Sequence, residues 1–434
     1  MKKFSILLLL PLWLGAQSPM ALSIEASIQM ALDRNPNIKI AQEKVSDAQQ
    51  SFYQAIGSAL PSVSLQGTRI MDEKVQVIPN PFPIPGGPTT LELDFTMDYQ
   101  YDVRVTQPLF TGGKIALGTL MANKGVEMGR SQYAQEKNKL SFNVIQAYLG
   151  LLVTKEFLAV AEEGYNTAVE FYDISKLLYE QGMISKLDLL QAEVQAANLL
   201  PQKTQAENGV TMATAGLKML LGLDSKTSIE LTDELAYTPG DFDLEQLKVK
   251  ALMDRPELQQ MNLSKSLSSM NVNMARSSFL PMLALSYSYS KAGNDLDLYS
   301  DWNDSYMVAV GLSYDLFKGG TRFSKVRQAR IAQRQVEYGF EALKDAILLD
   351  VEQAYLRLNE AEKNILLQQK TVGQAEEAAR LAKLQYREGT ITNLQANQVQ
   401  INLTAARANY LQAMYNYTLA KASIKKAIGE SLHQ

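Results

Sequence analysis

Residue types able to carry chemistry are scarce in this chain. It has no cysteine and a single histidine, His433, next to last in the sequence. Thiol catalysis, disulfides and a cysteine-linked lipid anchor are therefore excluded. A histidine-ligated metal site or a Ser/His/Asp triad would have only this penultimate histidine to draw on and is not expected. Adjacent acids occur at Glu162-Glu163 and Glu376-Glu377, a residue type suited to general acid–base work. They lie on long helical patterns with no cleft signature and read as solvated helix face. No catalytic, cofactor-binding or metal-binding residue is predicted, and the chain reads as a non-enzyme. The formal charge is −4, and loss of a leader carrying Lys2 and Lys3 makes it −4 − 2 = −6. With no basic run, nucleic acid is not an expected partner.

The polar residues that stand in a pattern do so in two kinds of place. In the first, Asp98, Gln100, Asp102, Arg104 and Thr106 alternate with Tyr99, Tyr101, Val103 and Val105. A period of two with one charged and one apolar face predicts a strand bordering water on one side and an apolar medium on the other. In the second, Tyr179-Glu180-Gln181-Gly182 and Tyr386-Arg387-Glu388-Gly389 interrupt very long helical patterns. A glycine just past a helix end takes the left-handed backbone, and Ser185 and Thr392 stand where they can cap the returning helices.

These places recur because the chain contains itself twice. Gln146-Ala147-Tyr148-Leu149 returns as Gln353-Ala354-Tyr355-Leu356, an offset of 353 − 146 = 207. The same offset carries Gly112-Gly113 to Gly319-Gly320 and Gly222 to Gly429. Upstream, Arg34-Asn35-Pro36 meets Asp254-Arg255-Pro256 and Leu60-Pro61 meets Leu280-Pro281, an offset of 280 − 60 = 220. The first copy thus has 220 − 207 = 13 extra residues between its Leu-Pro and its Gly-Gly, placed in the surface connection between two strands, where insertions are tolerated.

The repeat sets the organisation. Lys2-Lys3, the apolar run Ile6 to Leu14 and the small residues Gly15-Ala16 and Ala21 form a secretory signal over 1–21, too short to span a membrane. Cleavage falls after Ala16 or Ala21, with Ala21 favoured. The first repeat covers 22–222, with strands about 61–76 and 95–110, a long helix about 114–181 and a return helix about 185–221. A linker over 223–243 includes a short strand near Ile229–Leu231. The second repeat covers 244–429, with strands about 281–291 and 304–317 and helices about 321–388 and 392–428; a tail follows at 430–434. Shorter helices precede each strand pair, roughly 24–34 with 37–59 and 244–254 with 256–279. Proline is absent from 114–181 and 321–388, so each stretch is a helix of ~100 Å at 1.5 Å per residue, whereas Pro201 is placed to kink the first return helix. The Gly-Gly pairs, Gly112, Gly113, Gly319 and Gly320, are the expected strand-to-helix hinges.

Four amphipathic strands cannot stand alone in lipid, because their edges leave unpaired N–H and C=O groups in hydrocarbon. Closure by other copies is required, and three copies of four strands give 3 × 4 = 12. Asp98, Gln100, Asp102 and Arg104 then face a wet lumen, and the tyrosines of the opposite face meet lipid.

The ordered set Arg-Asn-Pro near residue 35, Pro-Leu-Phe-x-Gly-Gly at 108–113 echoed at 316–320, Gln-Ala-Tyr-Leu, Tyr-x-x-Gly and the closing Leu-Gly and Ile-Gly, occurring twice behind a signal peptide, resembles the TolC-like outer membrane efflux proteins. The resemblance covers essentially the whole mature chain. It implies a mixed α/β membrane protein: a homotrimer with a 12-stranded β-barrel in the outer membrane, a 12-helix α-barrel across the periplasm and a small equatorial region. It also implies a passive exit duct for a tripartite efflux or type I secretion system. The implied partners are two further copies, a periplasmic adaptor (membrane fusion) protein, an inner-membrane pump of RND, ABC or MFS type, and outer-membrane lipid. Gate and adaptor contacts carry over to the tips: Tyr179, Gly182, Asp188, Gln191, Tyr386, Gly389, Gln395 and Gln398. Some members have acidic residues six and nine positions past the second-copy glycine, where this chain has Gln395 and Gln398. An acidic gate on that pattern is not expected here, and Asp188 is the remaining charged candidate. The tip tyrosines read either as packing residues or as latches. The alternative function is a secreted coiled-coil stalk or adhesin without transport.

Overall fold

The computed structural model describes residues 20–71, 76–82, 84–93, 98–293 and 302–432. The leader up to residue 19, His433 and most of the connection expected over Asn294 to Asp304 lie outside the described residues. The chain divides into two compact units, one of 1–43, 131–259 and 341–434 and the other of 44–130 and 260–340.

The second unit contains a four-stranded antiparallel sheet. Its strands are β2 (Ser62–Arg69), β5 (Tyr99–Phe110), β7 (Met282–Gly293) and β8 (Asn303–Ser313), in the order β2-β5-β7-β8. Each outer strand has one edge with no partner among the described residues. The register sorts the side chains. Gln66 lies opposite Asp102, Asp102 opposite Ser290 and Ser290 opposite Ser305. On the other face Leu65 lies opposite Val103, Val103 opposite Tyr289 and Tyr289 opposite Tyr306. Because successive strand residues alternate sides, the sheet has one polar and one apolar, tyrosine-rich face. Val63, Leu65, Tyr306, Val308 and Val310 are exposed on the apolar face, a burden on a water-soluble protein but not on one whose solvent is lipid.

The strand expected over 61–76 is divided. β2 stops at Arg69, where Ile70 donates the last ladder bond to the Asp98 carbonyl at 2.9 Å. Residues 76–79 form β3 (Gln76–Pro79), paired with β4 (Thr90–Leu93) as a separate two-stranded ladder. The insertion in the first repeat has thus acquired a hairpin. Asn80 closes it, its N–H bonded to the Thr89 carbonyl at 3.0 Å and its side-chain amide to the Pro88 carbonyl at 3.1 Å.

The remaining elements are α1 (Ile24–Arg34), α2 (Pro36–Gly57), α3 (Lys114–Glu180), α4 (Lys186–Leu221), α5 (Leu244–Asp254), α6 (Pro256–Arg276), α7 (Thr321–Arg387) and α8 (Asn393–Ala427). The long helices α3 and α7 have 67 residues each. Both start behind a glycine pair held at positive φ, 64° and 83° at Gly112 and Gly113 and 54° and 77° at Gly319 and Gly320. At Gly112 even the space is lacking, since a Cβ would stand 2.7 Å from the Ser277 carbonyl oxygen. Pro201 sits inside α4 without ending it.

The core of the first unit gathers Leu22, Ile28, Ala31, Val144, Tyr148, Leu151, Leu217 and Leu221. α3 includes an 18-residue window apolar enough to pass for a membrane span. Leu140, Val144, Ile145, Tyr148, Leu149 and Leu151 are buried in this core, while only 33% of that window is buried in all. Here β1 (Met20–Leu22) pairs in parallel with β6 (Ile229–Leu231). The Tyr148 hydroxyl donates to the Leu22 carbonyl at 2.7 Å, and the Asp233 carboxylate accepts from the Ile24 N–H at 2.7 Å. β1 therefore overlaps the last two residues assigned to the leader. The internal symmetry reaches single hydrogen bonds. The Asn35 side-chain amide donates to the Leu220 carbonyl at 3.0 Å, and the Arg255 guanidinium to the Ala427 carbonyl at 2.6 Å. These are equivalent positions, 35 + 220 = 255 and 220 + 207 = 427, and both serve carbonyls that a helix end leaves without intrahelical partners.

Candidate functional site at the two hairpin turns

Both turns are built alike. Leaving α3, the Met183 N–H bonds the Leu178 carbonyl and the Gly182 N–H the Tyr179 carbonyl, each at 2.9 Å, with Gly182 at φ 73°. Leaving α7, Thr390 bonds Gln385 at 2.9 Å and Gly389 bonds Tyr386 at 3.0 Å, with Gly389 at φ 71°. This paired pattern around a left-handed glycine is the Schellman cap. Each return helix then opens with a capping box. Asp188 accepts from the Ser185 hydroxyl at 2.7 Å and from its backbone N–H at 3.2 Å. Gln395 accepts from the Thr392 hydroxyl at 3.2 Å and its N–H at 3.0 Å. Asp188 and Gln395 are thus the same cap in two copies, one charged and one neutral.

The tyrosines differ. Tyr386 is 2% exposed and Tyr179 is 40% exposed. The Tyr386 ring meets Phe171 edge-on at 5.3 Å between centroids. Its hydroxyl lies 2.6 Å from the Ser175 Oγ and accepts from the Asn393 side-chain amide at 3.1 Å. Asn393 also donates to Ser175 at 3.2 Å, and Ser175 to the Phe171 carbonyl at 2.7 Å. Both partners are buried, where unsatisfied polar atoms are costly. This network joins α3, α7 and the start of α8.

Charges clamp the same helices on the outside. Glu170 on α3 accepts from Lys383 at 2.7 Å and Arg387 at 2.6 Å, both on α7. The Lys383 bond, opposed by burial and aided by Arg387, holds the Glu170 carboxyl below its ordinary value. Arg407 on α8 donates to Glu163 on α3 at 2.5 Å and to Glu376 on α7 at 2.9 Å. Glu162 pairs with Lys203 at 3.2 Å and Glu377 with Arg380 at 2.7 Å. The acids read from sequence as a solvated helix face are indeed exposed, and they are ion-paired as well, with Glu163 on α3 and Glu376 on α7 meeting one arginine on α8.

Of the residues expected at the tips, Asp188, Tyr386, Gly389 and Gln395 line one open cavity of about 900 Å³ between the two turns. Gln191 and Gln398 line a neighbouring groove of about 410 Å³ between α4 and α8 with Leu187, Leu394, Val194 and Ile401. The groove's lining is paired by the repeat, 187 + 207 = 394, 191 + 207 = 398 and 194 + 207 = 401. Tyr179 and Gly182 border neither space. Sequence reasoning missed Ser175, Asn393, Glu170, Lys383 and Arg407. Only one signal was available, that Arg407 has no basic counterpart in the first copy, where the equivalent residue is Leu200. Gln100 and Asp102, two of the four expected lumen residues, share the polar sheet face, with the Gln100 amide 3.2 Å from Asp102 and 3.4 Å from Ser290. Arg104 lies on the same face opposite Ser64 and Ser288. Asp98 is exposed one residue before β5.

A two-faced sheet with open edges and a duplicated pair of long helical hairpins define a class, the channel subunits of the bacterial outer membrane. Residues 27–223 and 247–430 match the outer membrane efflux protein family, and the chain belongs to it. It is similar to the outer membrane protein TolC of Vibrio cholerae, 24% identical over 314 residues that cover 71% of this chain and 72% of that protein. It is also similar to TolC of Escherichia coli, 23% identical over 75% of this chain and 68% of that one. Its fold matches the outer membrane protein VceC of V. cholerae with a TM-score of 0.77, at 16% identity over 94% and 96% of the two chains. It also matches the open state of the Neisseria gonorrhoeae MtrE outer membrane channel, with a TM-score of 0.76 at 18% identity over 95% and 90%. The protein is thus an outer-membrane efflux channel extending into the periplasm, and not an enzyme.

Proposed function

We propose that three copies close one passive exit duct, which a periplasmic adaptor (membrane fusion) protein couples to an inner-membrane pump of RND, ABC or MFS type, in tripartite efflux or type I secretion. The four-stranded sheet carries this reading. One chain supplies two free edges and half the eight strands that are the usual minimum for a membrane barrel. Open edges are not tolerated in hydrocarbon, so closure requires further copies. The sorting of polar and apolar faces supplies a wet interior and a lipid-facing exterior from the same strands. At the hairpin turns the proposed gate is asymmetric, with the second-copy turn latched through Tyr386 and the first-copy turn carrying the charge at Asp188. Direction and energy come from the pump. A coiled-coil stalk needs neither the sheet nor its faces. Native mass spectrometry in detergent tests the trimer, and single-channel recording in planar bilayers tests the duct; a stable folded monomer, or a trimer that never conducts, would overturn this reading.

A further inference from the structure

The repeat does more than relate two halves of one chain; it specifies the seam between chains. Within the first repeat β2 and β5 pair as Ser62 with Thr106, and within the second β7 and β8 pair as Met282 with Ser313. The sequence offsets carry one pair onto the other, 62 + 220 = 282 and 106 + 207 = 313. The junction between the repeats, β5 with β7, pairs Val105 with Tyr287, Thr106 with Ser286 and Gln107 with Leu285. In a ring of repeats the same junction must recur between the second repeat of one copy and the first repeat of the next. Moving β5 forward by 207 and β7 back by 220 gives its register: Leu312 opposite Gly67, Ser313 opposite Gln66 and Tyr314 opposite Leu65.

Two independent observations agree with this register. The first is parity. A slip by one residue would place polar side chains among lipid-facing ones, yet the translated register brings Tyr314 and Leu312 onto the apolar face with Leu65 and Gly67, and Ser313 and Asp315 onto the polar face with Gln66 and Ser64. The second is an asymmetry between the repeats. β5 remains a strand through Phe110 because Gln107, Pro108 and Phe110 have partners in β7. The equivalent residues Tyr314 to Phe317 have no strand partner among the described residues, and β8 ends at Ser313. Leu316 and Phe317 are 86% and 85% exposed, against 52% and 45% for their counterparts Leu109 and Phe110. The whole of β2, whose free edge is the proposed partner, is likewise exposed.

We propose that β8 of one copy, extended through Phe317, pairs antiparallel with β2 of the next copy in the register Gln66–Ser313 and Leu65–Tyr314, and that residues 314–317 become strand only in the assembled barrel. This rests on the trimeric reading above and adds its residue-level seam. The absence of cysteine makes the test free of background. Two double variants, Gln66→Cys with Ser313→Cys and Leu65→Cys with Tyr314→Cys, sample one pair of each alternating hydrogen-bonding type. Each is oxidised with copper–phenanthroline in the detergent-solubilised protein after native mass spectrometry has fixed its oligomeric state. At least one pair should yield covalent dimer and trimer. The shifted pairs Gln66→Cys with Gly311→Cys and Gln66→Cys with Asp315→Cys should react roughly tenfold more slowly or not at all, since diagonal neighbours lie near the limit that a disulfide spans. A trimer in which a shifted pair reacts fastest, or in which no pair reacts, overturns the register and leaves the trimer standing. A monomeric native mass for the unsubstituted protein overturns the trimer itself.

Discussion

Replacing Tyr386 by phenylalanine removes one oxygen and leaves the ring contact with Phe171 in place. That oxygen takes part in two hydrogen bonds, at 2.6 Å to Ser175 and 3.1 Å to Asn393, among residues that are 0% and 3% exposed. Lost buried hydrogen bonds of this kind cost ~0.5–1.5 kcal/mol each, so the second-copy turn should loosen by about 1–3 kcal/mol. That corresponds to a shift of roughly 5- to 150-fold in its opening equilibrium. The matched change Tyr179→Phe provides the control. Tyr179 is 40% exposed, its hydroxyl makes no hydrogen bond among the described residues, and surface changes of this sort stay within about 0.5 kcal/mol. Hydrogen–deuterium exchange of the trimer, followed on peptides covering residues 170–185 and 381–396, reads both. Exchange should rise at the second turn in Tyr386→Phe and remain unchanged in Tyr179→Phe. Equal responses of the two variants, or none in Tyr386→Phe, would refute the assignment of Tyr386 as the latch. If the same turn gates the duct, Tyr386→Phe should also raise the open fraction in single-channel records.

Further expectations concern charge and processing. With Gln395 and Gln398 in place of acids, a trivalent cation added on the periplasmic side should block conductance weakly, while Gln398→Asp should strengthen the block; strong block of the unsubstituted channel that survives Asp188→Asn would disprove the reading that Asp188 carries the charge of this gate. The lowered Glu170 carboxyl contributes stability that is present above its unfolded value and lost as pH falls through its lower folded value. Exchange over residues 381–396 should therefore accelerate below about pH 4.5, and Glu170→Gln should abolish that added acid sensitivity; identical pH profiles would contradict it. Since Met20 and Ala21 pair with Ile229 and Glu230, we expect the mature chain to begin after Ala16, which intact mass of the exported protein decides; a chain starting at Leu22 would show that β1 forms no part of the mature fold.

Some of this protein was legible from residue order alone because local physics fixed it. The strand faces follow from a period of two around Asp102 and Arg104. The hairpin turns follow from Gly182 and Gly389, the only residue type that reaches positive φ without strain, and from Ser185 and Thr392 as caps. The duplication followed from constant offsets, and with it the order of elements. Other features depended on which helices meet, which no window of sequence encodes. Tyr179 and Tyr386 are indistinguishable by motif, yet one is exposed and the other buried, because only the second copy has Ser175 and Asn393 brought to its hydroxyl from α3 and α8. Glu163 and Glu376 read as solvated and stay exposed, yet only packing brings Arg407 between them. The extra hairpin β3–β4 was hidden because its strands pair only with each other, outside the repeat that organised the rest. Sequence periodicity determines what each element offers to its surroundings; tertiary structure decides which of two equal offers is taken up, because burial and hydrogen bonding are properties of neighbours brought together from distant parts of the chain.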